Sequence, residues 1–240
     1  MNTQENTVIF RQLFDRESST YTYLIADAWN HRAVLIDPVL GQIQRDIAVL
    51  SELGLTLSYV LDTHVHADHV TAAGTLRDML GTETVVSEHG GAACADVQIT
   101  DGATLQVGAI GIEVRATPGH TSGCLTYVVR HGTETVAFTG DALLVRGCGR
   151  TDFQEGDATT LYRSVRTRIF SLPDETRIYP GHDYRGHTVS TVAEEKAFNP
   201  RLNLGIKESE FVAIMDNLNL PTPRLMDVAV PANQACGQTV

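Results

Sequence analysis

Four potential metal ligands, His64, His66, Asp68 and His69, fall within six consecutive positions of the stretch Thr63-His64-Val65-His66-Ala67-Asp68-His69, just after the apolar run Tyr59-Val60-Leu61. Imidazole nitrogens and carboxylate oxygens are the donors that borderline divalent metals prefer. Desolvating four such groups side by side without a cation is costly. The fold must therefore gather this segment, and whatever completes it, around a metal. Further donors stand at His120 in Pro118-Gly119-His120-Thr121, Asp141 in Thr139-Gly140-Asp141, and His182 in Tyr179-Pro180-Gly181-His182. Each lies where a β-rich run gives way to a loop, the place where rigid scaffolds present chemistry.

In an extended segment, residues two apart project to the same side, so His64 and His66 point together. Asp68 and His69 bring a second group from the following turn. His120, Asp141 and His182 join them if their strands end on one edge of the fold. Seven donors exceed one metal's need. Taken alone, the count implies two adjacent metals sharing a carboxylate, Asp141, and activating a bridging water for hydrolysis. His31, His89, His131 and His187 read as ordinary surface or core histidines, His89 and His187 each beside a turn glycine.

Strand patterns at Tyr21-Thr22-Tyr23-Leu24-Ile25 and Ala33-Val34-Leu35-Ile36 flank a short polar loop and predict a hairpin. Ile43, Ile47, Leu50 and Leu53 recur at helical spacing, with Gly54 as a left-handed stop. A second helix over 71–80 ends at Gly81. Strands follow at 84–86, 104–107, 110–114, 125–129 and 135–138. Leu161, Val165 and Ile169 mark a helix that Pro173 terminates, and 177–179 is the strand that delivers His182. Helices are expected over 189–198 and 208–218, and an irregular tail over 220–240, which holds three prolines. Strand pairs interspersed with helices imply packed sheets covered by helices. Nothing reads as a linker, so residues 1–240 are expected to form one domain, with 186–240 a helical and irregular segment packed on it.

A formal charge of −11 argues against nucleic acid, whose binding needs clustered Lys and Arg, and against an anionic membrane surface. The longest apolar runs are too short to span a bilayer. The N-terminus has neither a signal-peptide nor a transit-peptide pattern. Cys94, Cys124, Cys148 and Cys236 form no C-x-x-C pair. Reduced thiols in a cytoplasm are the expectation, with Cys148 a small packing residue between two glycines.

H-x-H-x-D-H followed by separate His, Asp and His resembles the metallo-β-lactamase superfamily over about 21–182. That resemblance implies an α/β fold, an αββα sandwich of two mixed sheets with helices on the outer faces and metal at one edge. Gly140-Asp141 followed by Gly147-Cys148-Gly149-Arg150 is similar to the glyoxalase II branch, which hydrolyses glutathione thioesters. The longer stretches 140–153, 178–184, 199–202, 217–221 and 229–233 resemble the persulfide dioxygenases. This resemblance, rather than spacing, implies one Fe(II) per chain on His64, His120 and Asp141. His66, Asp68, His69 and His182 would then support the ligands and carry protons, and Tyr184 and Arg201 would bind the glutathione moiety. It implies that glutathione persulfide and O2 are converted to sulfite and glutathione by a cytoplasmic homodimer. Rival expectations are a binuclear glutathione thioesterase using all seven donors, and a metal-binding redox sensor without turnover, which Asp141→Asn separates.

Overall fold

The computed structural model describes residues 8–238. Two six-stranded sheets face each other. The first has the order β1-β2-β3-β4-β5-β6, from β1 (Val8–Phe14), β2 (Tyr21–Asp27), β3 (Arg32–Ile36), β4 (Thr56–Leu61), β5 (Glu83–Ser87) and β6 (Val97–Ile99). The second has the order β12-β11-β10-β9-β8-β7, from β7 (Thr104–Val107), β8 (Ile110–Ala116), β9 (Leu125–His131), β10 (Glu134–Gly140), β11 (Arg177–Pro180) and β12 (Ser190–Thr191). Both sheets are mixed: β1, β2 and β3 pair antiparallel while β3 to β6 pair parallel, and β10 pairs parallel with β11.

Strand composition follows from which faces are covered. Residues of β2 are buried throughout, because Tyr23 and Ile25 face the inter-sheet core while Leu24 and Ala26 pack under the helices. Those helices are α1 (Ile43–Glu52) and α2 (Ala73–Leu80), which set Leu50 and Leu76 against Leu35 and Val60. Gly54 (φ 63°) and Gly81 (φ 68°) end them in the left-handed conformation expected. In β8 only alternate residues, Ile110, Ile112 and Val114, are buried, the period-two signature of a strand with one covered face. The outer face of the second sheet is covered by α3 (Ala158–Ser164), which continues into a wide π turn over Val165–Ile169, and by α5 (Glu208–Asp216). Leu161, Val165, Ile169 and Phe211 meet Val128, Ala137 and Ile178 there. The result is the αββα sandwich.

Four features depart from the sequence expectation. Strands β1 and β6 were not foreseen. The helix α4 (Val192–Phe198) starts later than expected, because Ser190 and Thr191 form β12 and Thr191 then caps the helix in a reciprocal box with Glu194. The tail is not wholly irregular: Met226–Gln234 form α6 despite Pro231, since Ala229, Ala232 and Asn233 are buried on the body and packing overrides propensity. Nor are all four cysteines free. Cys94 and Cys236, 142 residues apart, form a disulfide because α6 returns to the loop after β5, a juxtaposition that spacing along the chain cannot reveal. Cys124 and Cys148 are the free, buried thiols.

The two sheets are clasped at one edge. Tyr21 N donates to Gly181 O at 2.9 Å, Leu125 N to Thr63 O at 2.8 Å, and Gly181 N to Gly140 O at 2.8 Å. An antiparallel bridge joins Thr20 to His182. These bonds bring the ends of β4, β10 and β11 together, and the donor-bearing loops with them.

Candidate metal centre

His64, His120 and Asp141 each offer one ligand atom within 4.8 Å of the other two. Each is held from behind. Thr63 Oγ1 lies 3.0 Å from His64 Nδ1, and itself donates to Asp37 Oδ2 at 2.8 Å. His120 Nδ1 donates to the Arg150 carbonyl at 2.7 Å, which leaves its Nε2 bare and 3.7 Å from Asp141 Oδ2. Burial, with His66 and His120 nearby, pushes the His64 imidazole well below its usual range, so it is neutral and able to donate a lone pair. Burial alone would raise the Asp141 carboxyl, but His182 in particular, with His120 and His64, holds it well below the usual carboxylate range. Two imidazoles and one carboxylate are a donor set that fits a divalent transition metal.

The remaining donors form a hydrogen-bonded group alongside. His182 spans Asp141 Oδ1 (2.6 Å from Nδ1) and Asp68 Oδ2 (2.9 Å from Nε2). Asp68 Oδ2 also lies 3.0 Å from His69 Nδ1. Thr20 Oγ1 sits within 3.3 Å of Asp68, His69 and His182, a contact the sequence did not announce. His66 turns its Nε2 to Asp37 Oδ1 at 3.2 Å. Burial works against a charged His66, but Asp37 holds its pKa up, at about 9. Against this, His66 Nδ1 and His69 Nε2 are buried with no hydrogen-bond partner among the described residues, and His66, Asp68 and His69 each offer a donor atom within 4.8 Å of the other two.

A cavity of about 440 Å³ opens over His64, His120, Asp141 and His182. Tyr184 stands on its rim, 72% exposed, with its ring parallel to that of His182. Cys148, Gly149, Arg150 and Phe153 form one wall, and Leu220 to Arg224 form another. Arg201 does not line the cavity. It lies behind the wall, with Nη1 3.4 Å from the Cys148 carbonyl and 3.9 Å from its sulfur. The cations that do reach the cavity are Arg150, already paired with Asp152 and bonded to the Pro221 carbonyl, and Arg224, which has no ion pair among the described residues.

Sequence reasoning also missed Asp37 and Asn233. Asp37 is buried at positive φ (52°) and accepts from the Thr63 amide at 2.7 Å, anchoring the start of the histidine segment. Its one sequence signal is the Asp-Pro step after a strand. Asn233 donates to the carbonyls of His66 (2.9 Å) and His69 (2.8 Å) and accepts from the Thr71 amide (2.8 Å), which ties α6 to the same segment.

Residues 15–182 match the family model of the metallo-β-lactamase superfamily. The chain is 55% identical to persulfide dioxygenase ETHE1, mitochondrial, of Bos taurus over 96% of its own length and 89% of the relative's. Identity to the Homo sapiens protein of that name is 54% over the same shares. Among solved structures, ETHE1 from Myxococcus xanthus superposes with a TM-score of 0.92 at 56% identity, covering 96% of this chain and 100% of that one. A metallo-β-lactamase from Staphylococcus aureus superposes at 0.89 with 25% identity, covering 99% of this chain and 74% of the other. The chain belongs to the metallo-β-lactamase superfamily and, within it, to the persulfide dioxygenases. That membership makes it an enzyme, an oxidoreductase.

Proposed function

We propose that this enzyme oxidises glutathione persulfide with O2 and water to sulfite and glutathione, using one Fe(II) held by His64, His120 and Asp141. The balance is one persulfide, one O2 and one water in, and one thiol and one sulfurous acid out, with both atoms of O2 ending on the sulfane sulfur. The observation that carries the reading is the buried pair of imidazoles with one carboxylate at the cavity floor, in a chain more than half identical to persulfide dioxygenases. Ferrous iron held by such a set would supply the redox chemistry that joining O2 to a sulfur donor requires.

The chain's own residues do the rest. Arg150 O fixes the His120 tautomer, and His182 orients the Asp141 carboxylate through Oδ1. His182, Asp68 and His69, linked through shared bonds with Thr20, hold protons close to the cavity floor. His66 is engaged by Asp37 and supports the histidine segment. Tyr184 at the rim packs against the thiol carrier. Arg224, exposed in the cavity lining, pairs with one of its carboxylates. Arg201 serves the same subsite from behind by fixing Cys148 and the wall that follows it. The homodimer and the cytoplasmic setting belong to the same reading.

Sulfite released from glutathione persulfide in proportion to bound iron, and lost in Asp141→Asn, tests the proposal. A variant that lost iron but released sulfite normally would refute it.

One observation favours a second reading. His66 Nδ1 and His69 Nε2 are buried and have no partner among the described residues, as they would if each faced a metal of a binuclear site. Two metals per chain with hydrolysis of lactoylglutathione would support that thioesterase.

A further inference from the structure

The C-terminal helix α6 grips the histidine segment at backbone level, where no side-chain ligand would reveal it. Asn233 is 4% exposed and uses its amide completely, donating to His66 O and His69 O and accepting from Thr71 N. The residues just beyond it are pressed against the start of α2. Gly74 N donates to Cys236 O at 2.8 Å, and a Cβ at Gly237 (φ 81°) would lie 2.0 Å from Thr71 O. The Cys94–Cys236 disulfide pins this end of α6 to the loop after β5. Cys94 is half-buried, whereas Cys236 is 2% exposed.

We propose that Asn233 is a positioning residue for the metal centre and that the thiol–disulfide state of Cys94 and Cys236 sets how firmly it holds. This rests on the metal reading of the site only for its consequence, not for the latch itself. In the oxidised form, α6 is covalently fixed and the carbonyls of His66 and His69 are clamped. A low-molecular-weight thiolate attacks the more accessible Cys94 sulfur, forming a mixed disulfide and expelling the Cys236 thiolate. A second thiolate then releases Cys94 and leaves as the external disulfide. The protein gains two electrons and two protons, and the two external thiols are oxidised to one disulfide. Reversal requires a low-molecular-weight disulfide as oxidant. With the bridge open, α6 retains its non-covalent contacts but frays more readily from its C-terminal end. The segment carrying His64, His66 and His69 loses part of its restraint, and metal escapes faster. In a reducing cytoplasm the pair would stand open, so the latch reports the thiol–disulfide balance around the protein.

The test uses the full chain, purified anaerobically with its metal, in two states: equilibrated with glutathione disulfide, and reduced with a water-soluble phosphine. Non-reducing peptide mapping reads the bridge, hydrogen exchange reads the Thr71 amide, and a ferrous chelator reads metal loss. We expect a 94–236 cross-link in the first state. Reduction should speed Thr71 exchange fivefold or more and metal loss threefold or more. Cys94→Ser should behave as the reduced protein and ignore the phosphine. Asn233→Ala should exchange fast at Thr71 in both redox states, which separates the clamp from general loosening. A cross-link that forms and breaks without altering Thr71 exchange overturns the proposal. So does failure of the cross-link to form in glutathione disulfide. Redox-dependent exchange in a protein that binds no metal in either state upholds the latch and instead removes the metal reading.

Discussion

His182 lies 2.6 Å from Asp141 through Nδ1 while its Nε2 lies 2.9 Å from Asp68, so one buried imidazole is shared by two carboxylates. Their charges raise its pKa well above the usual range against the opposing effect of burial. Removing the imidazole leaves two facing carboxylates without their common partner. His182→Ala should therefore destabilise the metal-free protein by about 3 kcal/mol, the scale for breaking a buried ion pair. A lower urea midpoint at unchanged slope checks this, and an unshifted midpoint would show that solvent or backbone replaces the imidazole at no cost.

Gly149 is where the wall of the cavity touches a proposed ligand. A Cβ there would lie 2.6 Å from Asp141 O and 2.8 Å from His120 Cγ. Backbone cannot yield as a flexible side chain does, so Gly149→Ala should displace His120, cost about 2 kcal/mol, and lower metal retained through gel filtration by at least half. Full metal content in a protein of wild-type stability would mean that the 147–150 turn moves freely.

Much of this site was legible in the sequence, and for physical reasons. The residues of H-x-H-x-D-H are local, so their convergence needs only one strand end. The strand-end positions of His120, Asp141 and His182 place them on one edge once the sheets pair. Thr20, Asp37 and Asn233 were not legible, because each acts through partners at least 26 residues away and is an ordinary polar residue in its own segment. The Cys94–Cys236 pair is hidden for the same reason. For Arg201 the matching motif points to the site, but its contact with the Cys148 carbonyl behind the cavity wall joins segments 53 residues apart and is not written in the motif. In the tail, proline content suggested irregular structure where burial of Ala229 and Ala232 stabilises a helix.

Asp27 offers a test of the frame away from the metal. Burial would raise its carboxyl, but donors at Ala109 N, Asn30 Nδ2, Asn30 N and Trp29 N hold it at about 2. A folded pKa below the ordinary 3.8 means the group stabilises the protein above that value and loses its contribution as pH falls through about 2. Asp27→Asn should cost about 1–2 kcal/mol at neutral pH. It should also flatten the decline in stability between about pH 4 and 2. A variant with the same acid limb as wild type would show that Asp27 does not drive it.

Arg224 lies in a cavity wall and has no ion pair among the described residues. Arg224→Gln should raise KM for glutathione persulfide about fivefold with kcat little changed, as for binding energy expressed equally in ground and transition states. Arg201→Lys should also raise KM more than it lowers kcat, through the Cys148 wall. An unchanged KM in either variant removes that residue from the thiol-carrier subsite.

The central claim is most directly tested by metal content of anaerobically purified protein, measured with O2 uptake on addition of glutathione persulfide. About one iron per chain, on two imidazoles and a carboxylate, is expected, with O2 consumed and sulfite released in equal amounts. Two metals per chain and no O2 uptake would contradict it, and would make His66, Asp68, His69 and His182 ligands of a hydrolase.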